Sequence, residues 1–287
     1  MLSRTNLQKI HALAIKSESL WPKSLRSDLQ IYWQKTLYDD KHGLISSLSL
    51  DLLREFNSTT KTLTKLAYRL GVAELYFWTA ANLEDDLSDD NKTPKNYLPL
   101  LSFCRDLAWK YIYQAPSPQN KTNNKTTIKL IGQCHAANFK EINTENNIPN
   151  EALSAANKSI FLLIGPMILI NQLNWPKNDQ NNFLLAGKYF LAAKQLADDI
   201  YDYREDWCSK KYSFAHYGLN QLPQGPELSI YFKKQANNIL SLCRLSRKQL
   251  KKVVTLKKHN YFNDQLNILE NNCHLSLSKI SLEANKA

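Results

Sequence analysis

Two short acidic runs hold the side chains best suited to chemistry. Residues 84–90 read E-D-D-L-S-D-D, and residues 195–206 read Q-L-A-D-D-I-Y-D-Y-R-E-D. Each contains Asp-Asp-x-x-Asp: Asp85, Asp86 and Asp89 in the first, Asp198, Asp199 and Asp202 in the second. On a helix the first and last Asp of each triad lie four residues apart, stacked on one face a turn apart. Such a stack repels itself until a divalent cation sits between the carboxylates. The two runs hold ten of the chain's 26 acidic residues, five in each. Both follow apolar stretches, V-A-E-L-Y-F-W-T-A-A-N-L and F-L-L-A-G-K-Y-F-L-A-A-K-Q-L-A. Charge at the end of a buried helix is expensive unless something balances it. Hard carboxylate oxygens select Mg²⁺, which keeps several waters and is held through one or two carboxylates plus substrate phosphates. A pair of solvated helix ends would explain one such run more readily than two.

The elements that must position these acids are helices. Glycine is scarce, 7 in 287 residues, and alternation of β-branched residues is rare. The composition predicts an all-α, single-domain fold, since no long linker divides the chain. The pattern predicts helices over 4–20, 24–38 and 44–56. Ser58-Thr59-Thr60 offers N-caps for a long helix to about Leu87, apolar nearly all round from Val72 to Leu83 and therefore central. Further helices are expected over 96–114, 126–142, 151–173 with a kink at Gly165-Pro166, 182–207, 227–257 and 261–284. Asn150 is a candidate cap. Trp21, Tyr32 and Trp33 are expected to cover one end of the core.

Lys and Arg outnumber Asp and Glu by 37 − 26 = 11. With ten acids gathered in two places, the remaining surface is more basic still. That suits a diphosphate or a membrane surface touched peripherally. No nucleic-acid recognition motif or basic stripe is present, so nucleic acid is not an expected partner. Five scattered cysteines without a C-x-x-C argue against a disulfide framework or zinc site and for a reducing compartment. The N-terminal residues lack a signal-peptide core, and the longest apolar run, 160–170, is too short to cross a bilayer. The expectation is a soluble cytoplasmic protein.

Two Asp-rich helix ends facing each other across an apolar bundle would hold several Mg²⁺ ions, and those ions would bind a diphosphate. Basic side chains complete such a site: Lys158, Arg204, Lys210 and Lys211. An apolar pocket beneath would accept a hydrocarbon tail. An allylic cation formed there could face Tyr76, Phe77, Trp78, Phe161, Tyr189 or Phe190. Any one of these rings is equally at home in a packed core.

These residues resemble the trans-isoprenyl diphosphate synthase superfamily, the all-α class I isoprenoid synthases. D-D-L-S-D and Q-L-A-D-D-I-Y-D are similar to its two aspartate-rich motifs. Lys158-Ser159 resembles its diphosphate-binding Lys-Thr pair. Gln195 matches the Gln of its Phe-Gln-x-x-Asp-Asp signature, with Lys194 in place of the Phe. Lys211 falls where its Gly-Lys lysine would stand. The resemblance covers roughly residues 60–215. It implies Asp85, Asp86, Asp89, Asp198, Asp199 and Asp202 as metal ligands. It implies Lys158, Gln195 and Lys211 around the substrate, where Arg204 and Lys210 join them as basic neighbours of the second motif, and a homodimer. Asp85, Asp86, Asp198, Lys158 and Lys211 would be the catalytic set.

The chain also departs from that family. Elongating members carry Gly-Lys-x-x-Arg-Pro about forty residues before the first motif, and an Arg-Arg pair after it. Here the first region reads H-G-L-I-S-S-L-S-L-D-L-L-R, and only Lys92 and Lys95 follow the motif. The resemblance therefore implies an enzyme that ionises one prenyl diphosphate without adding isopentenyl diphosphate, a terpene cyclase. An elongating synthase and a head-to-head synthase of the squalene and phytoene type are the alternatives. The latter is suggested by the Glu-Asp and Lys-Lys-Tyr that follow the second motif. A non-catalytic synthase subunit is a more distant reading. Ala80 and Ala81 leave the upper pocket open and Trp78 and Phe77 could floor it, which suggests a C15 or C20 substrate.

Overall fold

The computed structural model describes residues 4–43, 45–56, 60–89, 97–114, 120–143, 152–208, 214–256 and 263–274. The fold is all-α, and no strand occurs among the described residues. The chain divides into two compact units. The first comprises Met1–Thr127, Phe161–Trp175 and Leu256–Lys258; the second comprises Ile128–Ile160, Pro176–Thr255 and His259–Ala287.

The first unit is built around one long helix, α4 (Lys61–Asp89). It is surrounded by α1 (Arg4–Lys16), α2 (Arg26–Asp39), α3 (Leu48–Glu55), α5 (Leu98–Tyr113) and α8 (Ile164–Gln172). Thr60 starts α4: its hydroxyl accepts the backbone N–H of Leu63 at 3.2 Å, one of the donors a helix start leaves unpaired. Ser58 and Thr59 lie outside the described residues. From Leu70 to Phe77 every residue of α4 is buried. Leu70, Leu75, Tyr76 and Leu83 are among the most deeply buried large side chains, each contributing about 1.5–3 kcal/mol if apolar burial is complete. The central position read from the sequence is what α4 occupies.

Along α4, α2 makes a series of specific contacts. Trp33 stacks on Tyr76 with ring centroids 4.4 Å apart. The hydroxyls of Thr36 and Thr79 lie 2.8 Å apart, and Trp78 Nε1 donates to Asp39 at 3.3 Å. Trp21 meets Trp33 edge-on at 5.8 Å. Trp21 and Trp33 are in the core as expected, whereas Tyr32 is only half-buried and meets Tyr97 edge-on.

Two carboxyls are buried beneath this layer. Asp40 accepts from the backbone N–H of Ile45 at 2.8 Å and of Ser46 at 3.2 Å, and from the Ser46 hydroxyl. His11 Nε2 lies 2.9 Å from it. Glu74 accepts from the Ser49 hydroxyl at 3.4 Å and from the backbone N–H of Gly165. Burial, and then the charge of Asp40, push the Glu74 carboxyl well above the ordinary range.

The helix expected over 151–173 is not continuous. A short turn of helix, α7 (Ala152–Ala155), gives way to a turn over 156–159, a 3₁₀ turn over Ile160–Leu163 and then α8. Pro166 is the third residue of α8, where a helix needs no intrahelical donor, so it opens a helix instead of kinking one. Gly165 lets α8 approach α4, because a Cβ there would collide with the Glu74 carboxyl and the Ser49 hydroxyl. Asn150 lies outside the described residues.

Helix α6 (Asn120–Asn143) passes from the first unit into the second at 127–128. The second unit is built on two 25-residue helices packed together, α9 (Lys177–Tyr201) and α11 (Pro226–Leu250). The buried residues of α11 recur at three- and four-residue steps, from Tyr231 and Phe232 through Gln235, Ile239, Leu242 and Ser246 to Leu250. Ser246 donates to the carbonyl of Ala186 at 2.9 Å, where small α9 side chains admit it. The start of α9 falls earlier than the predicted residue 182. Asp179, in its first turn, accepts the backbone N–H of Thr255 at 2.8 Å and the Thr255 hydroxyl. An acid there complements the helix dipole. The same contact explains why α11 stops at Leu250 and not near 257: residues 251–255 must turn for Thr255 to reach Asp179. A short α10 (Tyr203–Cys208) follows α9, and residues 263–274 form α12, joined to α11 by Arg247 and Glu270 at 2.9 Å. None of the five cysteines is joined in a disulfide.

Candidate functional site

Each acidic triad stands at the C-terminal end of a long helix. That end carries partial negative charge from its unpaired carbonyls, so carboxylates there work against the helix dipole. In the first unit, Asp85 is exposed, Asp86 is half-buried and Asp89 is the last residue of α4. The Asp89 side chain is outside the described residues. Arg105 on α5 takes Glu84 at 2.7 Å. The Tyr32 hydroxyl lies near enough to Asp86 to feel its charge, and Tyr97 meets the Tyr32 ring edge-on at 5.9 Å. Burial first, and then Asp86, raise the Tyr32 hydroxyl above its ordinary value, so it stays a donor. One turn before Asp86, Asn82 Nδ2 is buried with no hydrogen-bond partner.

In the second unit, the sequence predicts one helix to 207, but α9 ends at Tyr201 and Asp202 is its C-cap, with φ −96° and ψ 4°. The Asp202 N–H still donates to the Asp198 carbonyl at 3.2 Å, so the two residues keep the predicted one-turn spacing. Asp198 is exposed and pairs with Lys194 at 2.9 Å. Asp199 is buried and accepts from Gln195 Nε2 at 2.9 Å. Desolvation, then Glu205 and Asp198, hold the Asp202 carboxyl above the ordinary range. A cation would relieve that crowding of acids.

Of the basic candidates, Lys158 is half-buried in the turn before α8, its carbonyl accepting from Cys134 Sγ at 3.0 Å. Arg204 is exposed on α10, beside its neighbour Tyr203. Lys210 and Lys211 lie outside the described residues.

The predicted aromatic wall is partly assembled in the first unit. Phe161 lies 6.2 Å from Phe77 and 6.1 Å from Trp78. Phe77 also meets Trp109 of α5 edge-on at 6.0 Å, and Trp109 stacks on Tyr113 at 5.3 Å. Sequence reasoning missed Trp109 and Tyr113; their four-residue spacing on an amphipathic helix was the available signal. Ala80 is buried and Ala81 half-buried. Tyr76 is different: it is sealed in the core, bonded to Ser17 and to Trp21 Nε1. On α9, Phe190 is buried and Tyr189 half-buried.

Among the described residues no group of three or more His, Cys, Asp or Glu side chains is gathered as a metal cage. The donors fit a cation that keeps its waters and takes only one or two carboxylates, as Mg²⁺ does. Hard oxygens stand at two helix C-termini; the orphaned Asn82 Nδ2 beside one of them is a hydrogen-bond donor, which suits an oxygen of water or of an anion and not a cation. No described helix is long and apolar enough to cross a membrane. Compared with models of known families and with curated proteins, the chain matches none.

Proposed function

We propose that this protein is a Mg²⁺-dependent isoprenoid synthase of the all-α class I type, which ionises an allylic prenyl diphosphate and releases diphosphate. One observation carries the reading. Two Asp-Asp-x-x-Asp triads each end a long helix, against its dipole, where desolvation and then the acidic neighbours Glu205 and Asp198 also hold Asp202 above its ordinary carboxylate range. Asp85, Asp86 and Asp89 would bind metal in the first unit; Asp198, Asp199 and Asp202 would do so in the second. Bound Mg²⁺ supplies neutralisation of the diphosphate as the C–O bond breaks. Lys158, Arg204, Lys210 and Lys211 would hold diphosphate oxygens. The rings of Phe77, Trp78 and Phe161, grouped in the first unit, would line the hydrocarbon tail and face the allylic cation.

The chain's lack of a Gly-Lys-x-x-Arg-Pro segment favours a terpene cyclase over an elongating synthase. A C15 or C20 substrate, a cytoplasmic location and a homodimer belong to the same reading. The test is incubation with geranyl, farnesyl and geranylgeranyl diphosphate, with and without Mg²⁺ and isopentenyl diphosphate. A hydrocarbon or alcohol formed from one substrate only with Mg²⁺ is the expected result. A longer diphosphate formed only with isopentenyl diphosphate would establish elongation instead. No turnover of any substrate, in protein that also fails to bind Mg²⁺ and inorganic diphosphate, would overturn the reading.

A further inference from the structure

Between Glu227 and Asp264 the chain has no acidic residue, while nine of the residues between them are Lys or Arg. Six of the nine are dispersed from Lys233 to Lys252, so no stripe shows in the linear sequence. Helix α11 gathers them. At about 100° per residue, Lys233, Lys234, Arg244 and Lys248 fall within about 100° of arc, opposite the buried Gln235, Ile239 and Ser246. Lys251 and Lys252 continue the row in the turn that follows, and all six side chains are exposed. Ile230, Asn237 and Ser241 are the exposed neutral residues between them. The structure thus has a basic stripe where none was expected.

An exposed helix face ordinarily mixes signs, as on α9, where Lys194 pairs with Asp198 at 2.9 Å. On α11 the paired cation is Arg247, at the edge of the row. It takes Glu270 of α12 at 2.9 Å and so keeps that acid off the face. Among the described residues none of the six has an ion-pair partner. From Lys233 to Lys248 the row runs about 22 Å along the helix axis. An apolar side chain stands at each end. Ile230, one turn into α11, is 70 % exposed; Val254, just past Lys251 and Lys252, is 86 % exposed while its neighbour Val253 is buried.

Cations in a row with apolar tips at both ends match the headgroup layer of an anionic bilayer. The cations meet lipid phosphates and carboxylates, and the tips enter the boundary with the acyl chains. Nucleic acid would attract the same cations. Its phosphate backbone offers nothing to Ile230 or Val254, and this arc carries no aromatic ring to stack on bases.

We infer that the outer face of α11 is a docking surface for an anionic membrane. The inference does not depend on the catalytic reading, and its test involves neither Mg²⁺ nor diphosphate. The full chain is sedimented with vesicles of roughly two parts phosphatidylcholine to one of phosphatidylserine, and with phosphatidylcholine alone. Wild type should sediment with the anionic vesicles only, and less as salt is added. Arg244→Gln, Lys248→Gln and Lys251→Gln together should weaken binding about 100-fold, roughly fivefold per cation. Lys9→Gln, Lys16→Gln and Lys23→Gln remove the same charge from exposed positions of the first unit and should leave binding nearly unchanged. Val254→Ser should cost about fivefold. Circular dichroism checks that each variant keeps its helicity.

Wild type that ignores anionic vesicles would overturn the inference. So would an equal loss from either triple variant, since net charge alone would then be acting. Tighter binding to a single-stranded oligonucleotide than to vesicles, with Val254→Ser matching wild type on both, would assign the face to nucleic acid instead.

Discussion

The Glu74 carboxyl lies where a side chain on Gly165 would have to stand. The contact joins α8 to α4, and the Gly165 N–H donates to the same carboxyl. Glu74 is 1 % exposed and the Ser49 side chain on the other side is fully buried, so neither has free room to retreat. Gly165→Ala should therefore destabilise the protein by about 1–3 kcal/mol, the usual cost of overfilling a core. That loss outweighs the backbone entropy an alanine would gain. Urea unfolding measures it; an unchanged midpoint would mean that α8 can slide away from α4.

The same carboxyl makes stability depend on pH in an uncommon direction. Burial and Asp40 raise Glu74 well above 4.5, and burial raises Asp51 from 3.8 to about 6 against the opposing pull of Ser47 and Arg54. Both folded values exceed the unfolded ones, so folding takes up protons between them. Their stabilisation is full below about pH 4 and is lost as pH rises, through about 6 for Asp51 and through its own raised value for Glu74. Glu74→Gln should match wild type at low pH and exceed it increasingly at neutral and alkaline pH, at up to about 1.4 kcal/mol per pH unit. Thermal melts of both proteins across pH 4.5 to 8.5 give the comparison. Parallel curves would show that Glu74 is ionised in the folded protein.

The contrast with sequence reading is instructive here. Glu74 sits in a stretch of α4 that is apolar on all sides, and a hydrophobic pattern alone predicts burial for the whole stretch without saying what answers one acid within it. Its partners, Ser49 and Gly165, come from two other helices, and pairing across helices leaves no periodic trace. Local signals fared better. The Thr60 cap and the central place of α4 followed from side-chain chemistry and apolar periodicity. The one-turn spacing of Asp198 and Asp202 survived even where α9 broke at Asp202. The start of α9 was misjudged because Lys177 to Asn182 is polar, and nothing local shows that Asp179 answers Thr255. Phe77, Trp78 and Phe161 could be proposed as one wall, but Trp109 joins them only through the packing of α5. Tyr32 read as a core residue beside Trp33; its half-buried place against Tyr97 depends on how residues distant in sequence pack together.

The contact between Asp179 and Thr255 offers a test confined to the second unit. Asp179 is buried, and it accepts both the backbone N–H and the hydroxyl of Thr255. Asp179→Ala strands a part-buried donor and removes an acid from the first turn of α9, which should cost about 1–2 kcal/mol. Thr255→Val keeps the backbone bond and should cost less than half as much. Hydrogen exchange should place the loss in the first turn of α9 and in residues 251–255. Protection unchanged there in Asp179→Ala would mean that the turn is held by other contacts.

Lys194 competes with any cation for Asp198. Its ammonium lies 2.9 Å from the carboxylate, and the two side chains are 21 % and 55 % exposed. A partly exposed pair of this kind is worth about 1 kcal/mol at most. A Mg²⁺ ion that uses Asp198 must displace the ammonium or share the carboxylate with it. Lys194→Gln should then tighten Mg²⁺ binding about two- to fivefold, the equivalent of up to ~1 kcal/mol, in calorimetric titration with inorganic diphosphate present. The gain should shrink as salt is added, because salt already screens the pair in the wild type. Asp198→Asn should remove both the pair and the binding at this helix end. Unchanged affinity in Lys194→Gln would argue that Mg²⁺ does not reach Asp198. Weaker binding would instead make Lys194 part of the basic set that holds diphosphate, standing where the family it resembles has a phenylalanine.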